Sequence, residues 1–438
     1  MSASRMRAPG GYDRRVWLLC LASALGAGSY LGMHQLLNAL FVLRLGYGPE
    51  FWGTVAATGA FSFSMSCMLG GYLGTRLGPF RTLALGAVTY TLGMAMPPLT
   101  GALPAGLQRI WMLLAQVVIS SGWSLQVVNV IAALGTVTQG SRGRGPFTLN
   151  EVFSSGGMLL GAAVGGMLPG AIARLQGVST ELPGPYALAL WVAVAGGLAN
   201  WLPIGMLQRG AGRVPVAPSS APARSSASDG PRTQPRRRIP LEGILLLLAA
   251  CGFATNAGHA ACKTFATVYL DRVFALPSAT IGAITSSGMC ATALTALIAG
   301  RLGRRLPSGL MMIVGALGMA LALLTMALWR APAGAVLGLI GVFGVLGLWR
   351  PAYQSLQMEM ARPEQRAAVS GLTSMSMSLG FGGMGLVGGQ VVARAGYAPV
   401  FLAGTVAALI SAGLAMILTR RTRRRAGQGG ASDTTARA

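Results

Sequence analysis

Apolar runs long enough to cross a bilayer recur along the whole chain, separated by short polar breaks. A membrane-spanning helix needs about 20 mostly apolar residues, because each residue advances it by only 1.5 Å. Runs of that kind cover residues 16–43, 51–74, 80–100, 109–136, 147–173 and 186–207, then 241–270, 278–300, 308–329, 333–360, 367–393 and 397–419. The chain therefore reads as an all-α membrane protein of twelve transmembrane helices. The expected organisation is an N-terminal segment (1–15), a six-helix bundle (16–207), a linker (208–240), a second six-helix bundle (241–419) and a tail (420–438).

Hydrophobic residues make up 53% of the sequence and charged residues only 10%, which is too little polar surface for a soluble protein of this length. The formal charge of +24 raises nucleic acid as a partner. The arginines, however, sit at the ends of apolar runs and in two polar segments, as membrane topology requires, so nucleic acid is set aside. The break QRGAGRVPVAPSSAPARSSASDGPRTQPRRRIP is rich in Pro, Ser, Ala and Arg and cannot bury a core, so it reads as a basic linker. Loops bearing Arg14 and Arg15, Arg76 and Arg81, Arg142 and Arg144, Arg301, Arg304 and Arg305, Arg362 and Arg366, and Arg420 to Arg425 fall on the linker's side. By the positive-inside rule that side, with both termini, is expected to be cytoplasmic. The five cysteines all lie in apolar runs without a CxxC pair, which reads as buried, reduced thiols.

The halves echo one another. LGYGPEFWG, ending at Gly53, parallels FALPSATIG, ending at Gly282; GGYLGTRLG parallels AGRLGRRLP; RGPFTLNEVFSSGG parallels RAAVSGLTSMSMSLG. Parallel six-helix repeats place a binding site between the halves near mid-membrane.

On these features the chain resembles the major facilitator superfamily over nearly its whole length. Gly71, Leu73, Arg76, Gly78 and Arg81 are similar to that family's G-x-L-x-D-R-x-G-R-K/R motif, with Thr75 in place of the aspartate. The resemblance implies a gate motif on the cytoplasmic side (Gly71, Arg76, Gly78, Arg81) that latches the halves through charge pairs. Glu151 or Glu359 would have to supply the missing anion. Gln116 stands where the family's proton antiporters carry an arginine. GMLLGAAVGG, residues 157–166, is similar to the antiporter glycine motif, with Ala162 in place of proline.

The polar residues inside the spans carry the functional reading. Lys263 is the only lysine in the chain. It lies nine residues before Arg272, about 13 Å along a helix. His34 and Lys263 are each nineteen residues before the matching glycines, Gly53 and Gly282, and so occupy equivalent places. Arg350 is twelve residues before Arg362, about 18 Å. Asn256, His259 and Lys263 share a helix face; so do Tyr30, His34 and Asn38, and Arg350, Gln354 and Gln357, while Trp123 and Gln126 form a shorter pair. Such stripes are expected to face a water-filled cavity. The candidate substrate-binding residues are thus His34, Asn38, Trp123, Gln126, Asn256, His259, Lys263, Arg350 and Gln354.

No span carries an acid near its middle, so Lys263 and Arg350 have no evident protein counter-ion. An anion from outside is the simplest compensation, with arginine supplying a planar fork and lysine a point charge. The expectation is an alternating-access transporter in the cytoplasmic (plasma) membrane for a small organic or phosphorylated anion. His34 or His259 would offer a link to protons, since histidine ordinarily titrates near neutrality. The alternative is efflux of multidrug or lipophilic compounds, favoured by 22 methionines and the glycines of the fifth span. A membrane enzyme finds no triad, metal cluster or phosphate loop in the sequence. No catalytic residue, metal ligand or cofactor is expected; the expected partners are a small-molecule substrate and the lipid bilayer, with the chain acting as a monomer.

Overall fold

The structure is a computed structural model describing residues 13–137, 145–211, 241–302, 306–360 and 366–435. Among these residues it is all-helical, with twelve long helices in chain order. They are α1 (Arg14–Arg44), α2 (Pro49–Leu77), α3 (Pro79–Ala95), α4 (Ala105–Val137), α5 (Gly145–Gln176) and α6 (Pro183–Arg209). Then come α7 (Leu241–Arg272), α8 (Ser278–Leu302), α9 (Ser308–Leu328), α10 (Pro332–Met360), α11 (Arg366–Ala395) and α12 (Tyr397–Thr435). The chain is a multi-pass integral membrane protein.

Proline opens α2, α3, α6 and α10, where its missing N–H costs no hydrogen bond. Gly78 joins α2 to α3 at φ +84°, a conformation that glycine adopts without a side-chain clash. A six-residue 3₁₀ turn, Pro97–Ala102, follows α3, and α6 is interrupted at Asn200, so the apolar runs 80–100 and 186–207 are each two helical pieces. The last helix continues to Thr435, well past residue 419. Hydropathy locates where lipid ends, whereas arginine and alanine go on favouring helix in water. Most of segments 1–15 and 208–240 lies outside the described residues, as do Arg142, Arg144, Arg304, Arg305 and Arg362. All five cysteines are free, but Cys290 is exposed and Cys67 half-buried; an apolar helix in a membrane has outward-facing positions as well as buried ones.

The internal repeat is visible in the packing. Gly157 of α5 approaches Ala24 of α1, and Gly380 of α11 approaches Phe253 of α7. These pairs occupy corresponding positions in the two halves. Between halves, Gly53 of α2 meets Gly385 and Gly389 of α11, while Gly282 of α8 meets Ala162 and Gly166 of α5. Small residues at these crossings let backbones touch.

Contact between the halves is uneven along the membrane normal. On the side away from the termini, Arg44 donates to both oxygens of Asp271 at 2.8 and 2.7 Å, and Arg272 donates to the Leu43 carbonyl. Deeper, Trp52 donates to the Thr264 carbonyl and Ser286 to the Leu159 carbonyl. Toward the termini the seam parts: Ala162 is 0% exposed but Val152 54%, and Ile281 0% but Leu297 57%. The protein is closed at the Arg44 end and open toward the end that carries its termini.

Candidate functional site

Behind the closed end lies a cavity of about 400 Å³, walled by both halves. From the N-terminal half come Tyr30, His34, Gln35, Asn38, Trp52, Phe63, Gln116 and Trp123; from the C-terminal half Asn256, His259, Lys263, Arg350, Met377 and Phe381. Seven of the nine residues expected at a binding site are therefore neighbours on one wall: His34, Asn38, Trp123, Asn256, His259, Lys263 and Arg350.

Local structure explains how α1 presents its share. Residues Gly28–His34 form a π-helical turn, with the Gln35 N–H bonding to the Tyr30 carbonyl five residues back. Wide turns of this kind recur at functional sites because they re-aim the side chains beyond them. Gly28 and Gly32 back this turn directly onto α5, where any side chain would strike the backbone of Gly157, Met158 and Ala162. Tyr30 and Trp123 rings pack 5.4 Å apart at their centroids, and Tyr90 meets Trp123 edge-on at 5.9 Å.

On α10, Pro351 follows Arg350 directly and removes one helical N–H. Thr292 and Thr295 of α8 donate to the Phe343 and Gly344 carbonyls at 2.8 and 2.5 Å, securing α10 about two turns earlier. Arg350 is exposed into the open side of the cavity, and Lys263 is half-buried. Lys263 Nζ sits 5.9 Å from the centre of the Phe381 ring, within cation–π range. His259 lies edge-on to Phe343 and Phe381. Its position brings it within electrostatic reach of both Lys263 and Arg350.

The charge pattern is one-sided. Lys263 and Arg350 are the charged residues on the wall, and both belong to the C-terminal half. No described carboxylate lies within 4.0 Å of either. Glu151, on α5, exerts its charge on Arg350 from beyond ion-pair distance, and the Glu359 side chain lies outside the described residues.

Two candidates sit elsewhere. Gln126 is 1% exposed and accepts from Asn200 Nδ2 at 3.2 Å; the same nitrogen donates to the Tyr90 hydroxyl at 2.9 Å. It shares a helix face with Trp123, but its longer amide turns toward α6 and α3. Truncating it would leave one Asn200 amide N–H unpaired in the core, the bond to Tyr90 remaining. Gln126→Ala is thus expected to cost about 1–3 kcal/mol of stability while leaving ligand affinity unchanged, as thermal unfolding with and without ligand would show. Gln354 is exposed and does not line the cavity, although it follows Arg350 by about one turn of α10.

The motif residues Gly71, Arg76, Gly78 and Arg81 lie on the parted side. Gly71 has open space where a side chain would be, and Arg76 rests over the Tyr72 ring of its own helix at 4.8 Å. No described carboxylate lies within 4.0 Å of Arg76 or Arg81. The sequence placed Tyr30 on the cavity-facing stripe of α1 but not among the candidate binding residues, and it did not mark Phe63, Gln116 or Phe381 as wall residues. The Arg44–Asp271 pair was likewise not foreseen from the sequence.

Comparison with known proteins agrees with this architecture. A family model described as Major Facilitator Superfamily matches residues 248–436. No curated protein sequence matches the chain. Among solved structures, the nucleoside transporter NupG is similar at 15% identity and TM-score 0.68, covering 93% of this chain and 98% of that one. The peptide transporter POT bound to alafosfalin gives 15% identity and TM-score 0.70, with 95% and 97% covered. The xylose transporter XylE from E. coli, in an inward-open conformation, gives 14% and 0.67, with 90% and 95% covered. At such identities these structures speak to the fold alone. The second half of the chain thus matches the Major Facilitator Superfamily model, and nearly its full length shares the fold of these transporters.

Proposed function

We propose that the protein is a secondary transporter that moves a small organic or phosphorylated anion across the cytoplasmic membrane by alternating access. In this reading the termini and linker are cytoplasmic, so the cavity described above opens inward. Lys263 and Arg350 supply the substrate's counter-charge, with His34, Asn38, Trp123, Asn256 and His259 around it. Residues 16–207 and 241–419 are the two bundles that rock about the site, and Gly71, Arg76, Gly78 and Arg81 line the cytoplasmic gate.

The observation that carries this reading is the pair of cations on a wall without a described carboxylate. Uncompensated charge at membrane depth is costly, and a bound anion removes that cost. A second reading, efflux of lipophilic compounds, draws on Met289, Met377, Leu339 and Phe343, which make much of the same wall adaptable and apolar.

Thermal unfolding of the detergent-purified protein against carboxylates, sugar phosphates, neutral sugars and lipophilic cations separates the two. A ligand at a hundred times its dissociation constant stabilises the folded state by about 2.7 kcal/mol. Anions are expected to raise the midpoint, and Lys263→Gln and Arg350→Gln to lose that response. If lipophilic cations stabilise the wild type and both variants equally, the cations are structural and the efflux reading replaces this one.

A further inference from the structure

Four side chains on the cavity wall are more than nine-tenths buried yet hold polar atoms with no hydrogen-bond partner. They are His34 (Nε2), Asn38 (Oδ1), Thr264 (Oγ1) and His259 (both ring nitrogens). Buried polar atoms are ordinarily satisfied, so a set of them around one cavity points to what fills it. Their hydrogen-bonding senses differ. The amide oxygen only accepts, the threonine hydroxyl donates and accepts, and a neutral imidazole has one nitrogen of each kind. A hydroxyl group, which both donates and accepts, is the ligand group that suits all of them.

The unpaired atoms lie on both halves, the charges on the C-terminal half alone. His34 and Asn38 stand on α1, facing a C-terminal wall that carries Lys263, Thr264 and Arg350. A simple carboxylate or phosphate would neutralise the cations and leave the α1 atoms unpaired. We propose that the cavity takes a polyhydroxylated organic anion, with its acid group held by Lys263 and Arg350 and its hydroxyls bonded to His34, Asn38 and Thr264. This inference rests on the anion reading above and narrows it. Sites that bond a substrate hydroxyl discriminate strongly against the analogue lacking it, because the site's own groups are then stranded. Ordered water could satisfy the same atoms, but then affinity would not depend on the solute's hydroxyls.

The test uses matched probes on the purified full-length protein, with dissociation constants from calorimetric titration. Gluconate is paired with hexanoate, glucuronate with cyclohexanecarboxylate, and glucose 6-phosphate with cyclohexyl phosphate; sorbitol and glucose serve as neutral polyols. The expected result is that at least one hydroxylated acid binds about tenfold or more tighter than its hydroxyl-free partner. In Asn38→Ala and in the isosteric Thr264→Val, that ratio narrows severalfold; Lys263→Gln weakens both members of the pair. Hydroxyl-free acids that bind as tightly in all three pairs overturn the proposal and leave the anion reading standing. If sorbitol or glucose bind as tightly as the acids, or if no acid binds at all, the anion reading fails and the proposal with it.

Discussion

Replacement of Arg44 by alanine is expected to release the closed end of the cavity. Arg44 grips both oxygens of Asp271 across the two halves and also bonds the Thr180 carbonyl and Glu181, while Tyr186 lies beside it at 5.5 Å. The Asp271 side chain is only 3% exposed. Removing one member of a buried pair costs about 3–5 kcal/mol, because the other is left charged without a partner. That cost applies only while the halves meet at this end, so it shifts the balance toward the conformer open there, by a factor on the order of 10² to 10⁴.

Spin labels at Ser179 and Ala333, exposed on opposite halves at that end, would report the change in a background stripped of native cysteines. The distance distribution is expected to lengthen in Arg44→Ala. It should return toward the wild-type distribution in the swapped pair Arg44→Asp with Asp271→Arg. An unchanged distribution in Arg44→Ala would mean that glycine packing, not this ion pair, holds the end shut.

Leucine at Gly166 or Gly282 is the second large effect. A β-carbon on Gly166 would lie 2.7 Å from the Cα of Gly282 and 2.7 Å from the Ser278 carbonyl oxygen. One on Gly282 would lie 2.7 Å from the Cα of Gly166 and 2.8 Å from the Ala162 carbonyl oxygen. These are backbone atoms, which cannot swing aside as a flexible side chain would. Overpacking of a closed seam costs about 1–3 kcal/mol even where side chains can yield. Either variant is therefore expected to wedge α5 from α8, lengthen the Ser179–Ala333 distance and reduce turnover in vesicles by about a hundredfold, the upper end of what such a cost allows. Gly413→Leu, at a site with open space beside it, is the control and should leave both readouts near wild type. Normal turnover in Gly166→Leu would show that the cycle does not require this seam to close fully.

The two variants test different physical links. The ion pair is a directional contact, broken and restored by charge. The glycine seam is steric and indifferent to charge, so exchanging the two charges should rescue the first effect and has no counterpart for the second.

Much of this architecture is written locally. Each span is legible because lipid makes the same demand on every helix, about twenty apolar residues with no stranded charge. The repeat is legible because two copies keep their punctuation: Gly53 and Gly282 mark equivalent points, and His34 and Lys263 stand equally far before them. Those two face one cavity because the halves pack about their shared seam. Polarity at membrane depth likewise marked Asn256, His259 and Arg350, since an ionic or amide group in an apolar helix must find a partner or water.

Rotation and pairing are another matter. A helix-face argument says which residues share a side, but not what that side meets. Gln126 shares a face with Trp123 and still ends against Asn200, and Gln354 follows Arg350 by one turn yet does not line the cavity. Arg44 and Asp271 are 227 residues apart and read along the chain as two ordinary helix-end charges. Hydropathy and repeat are properties of single segments, so the sequence alone determined the spans, their order and the depth of each polar residue. The enclosed end, the one-sided charge of the cavity and the pair that locks it depend on how two six-helix bodies pack, and only the tertiary structure decided them.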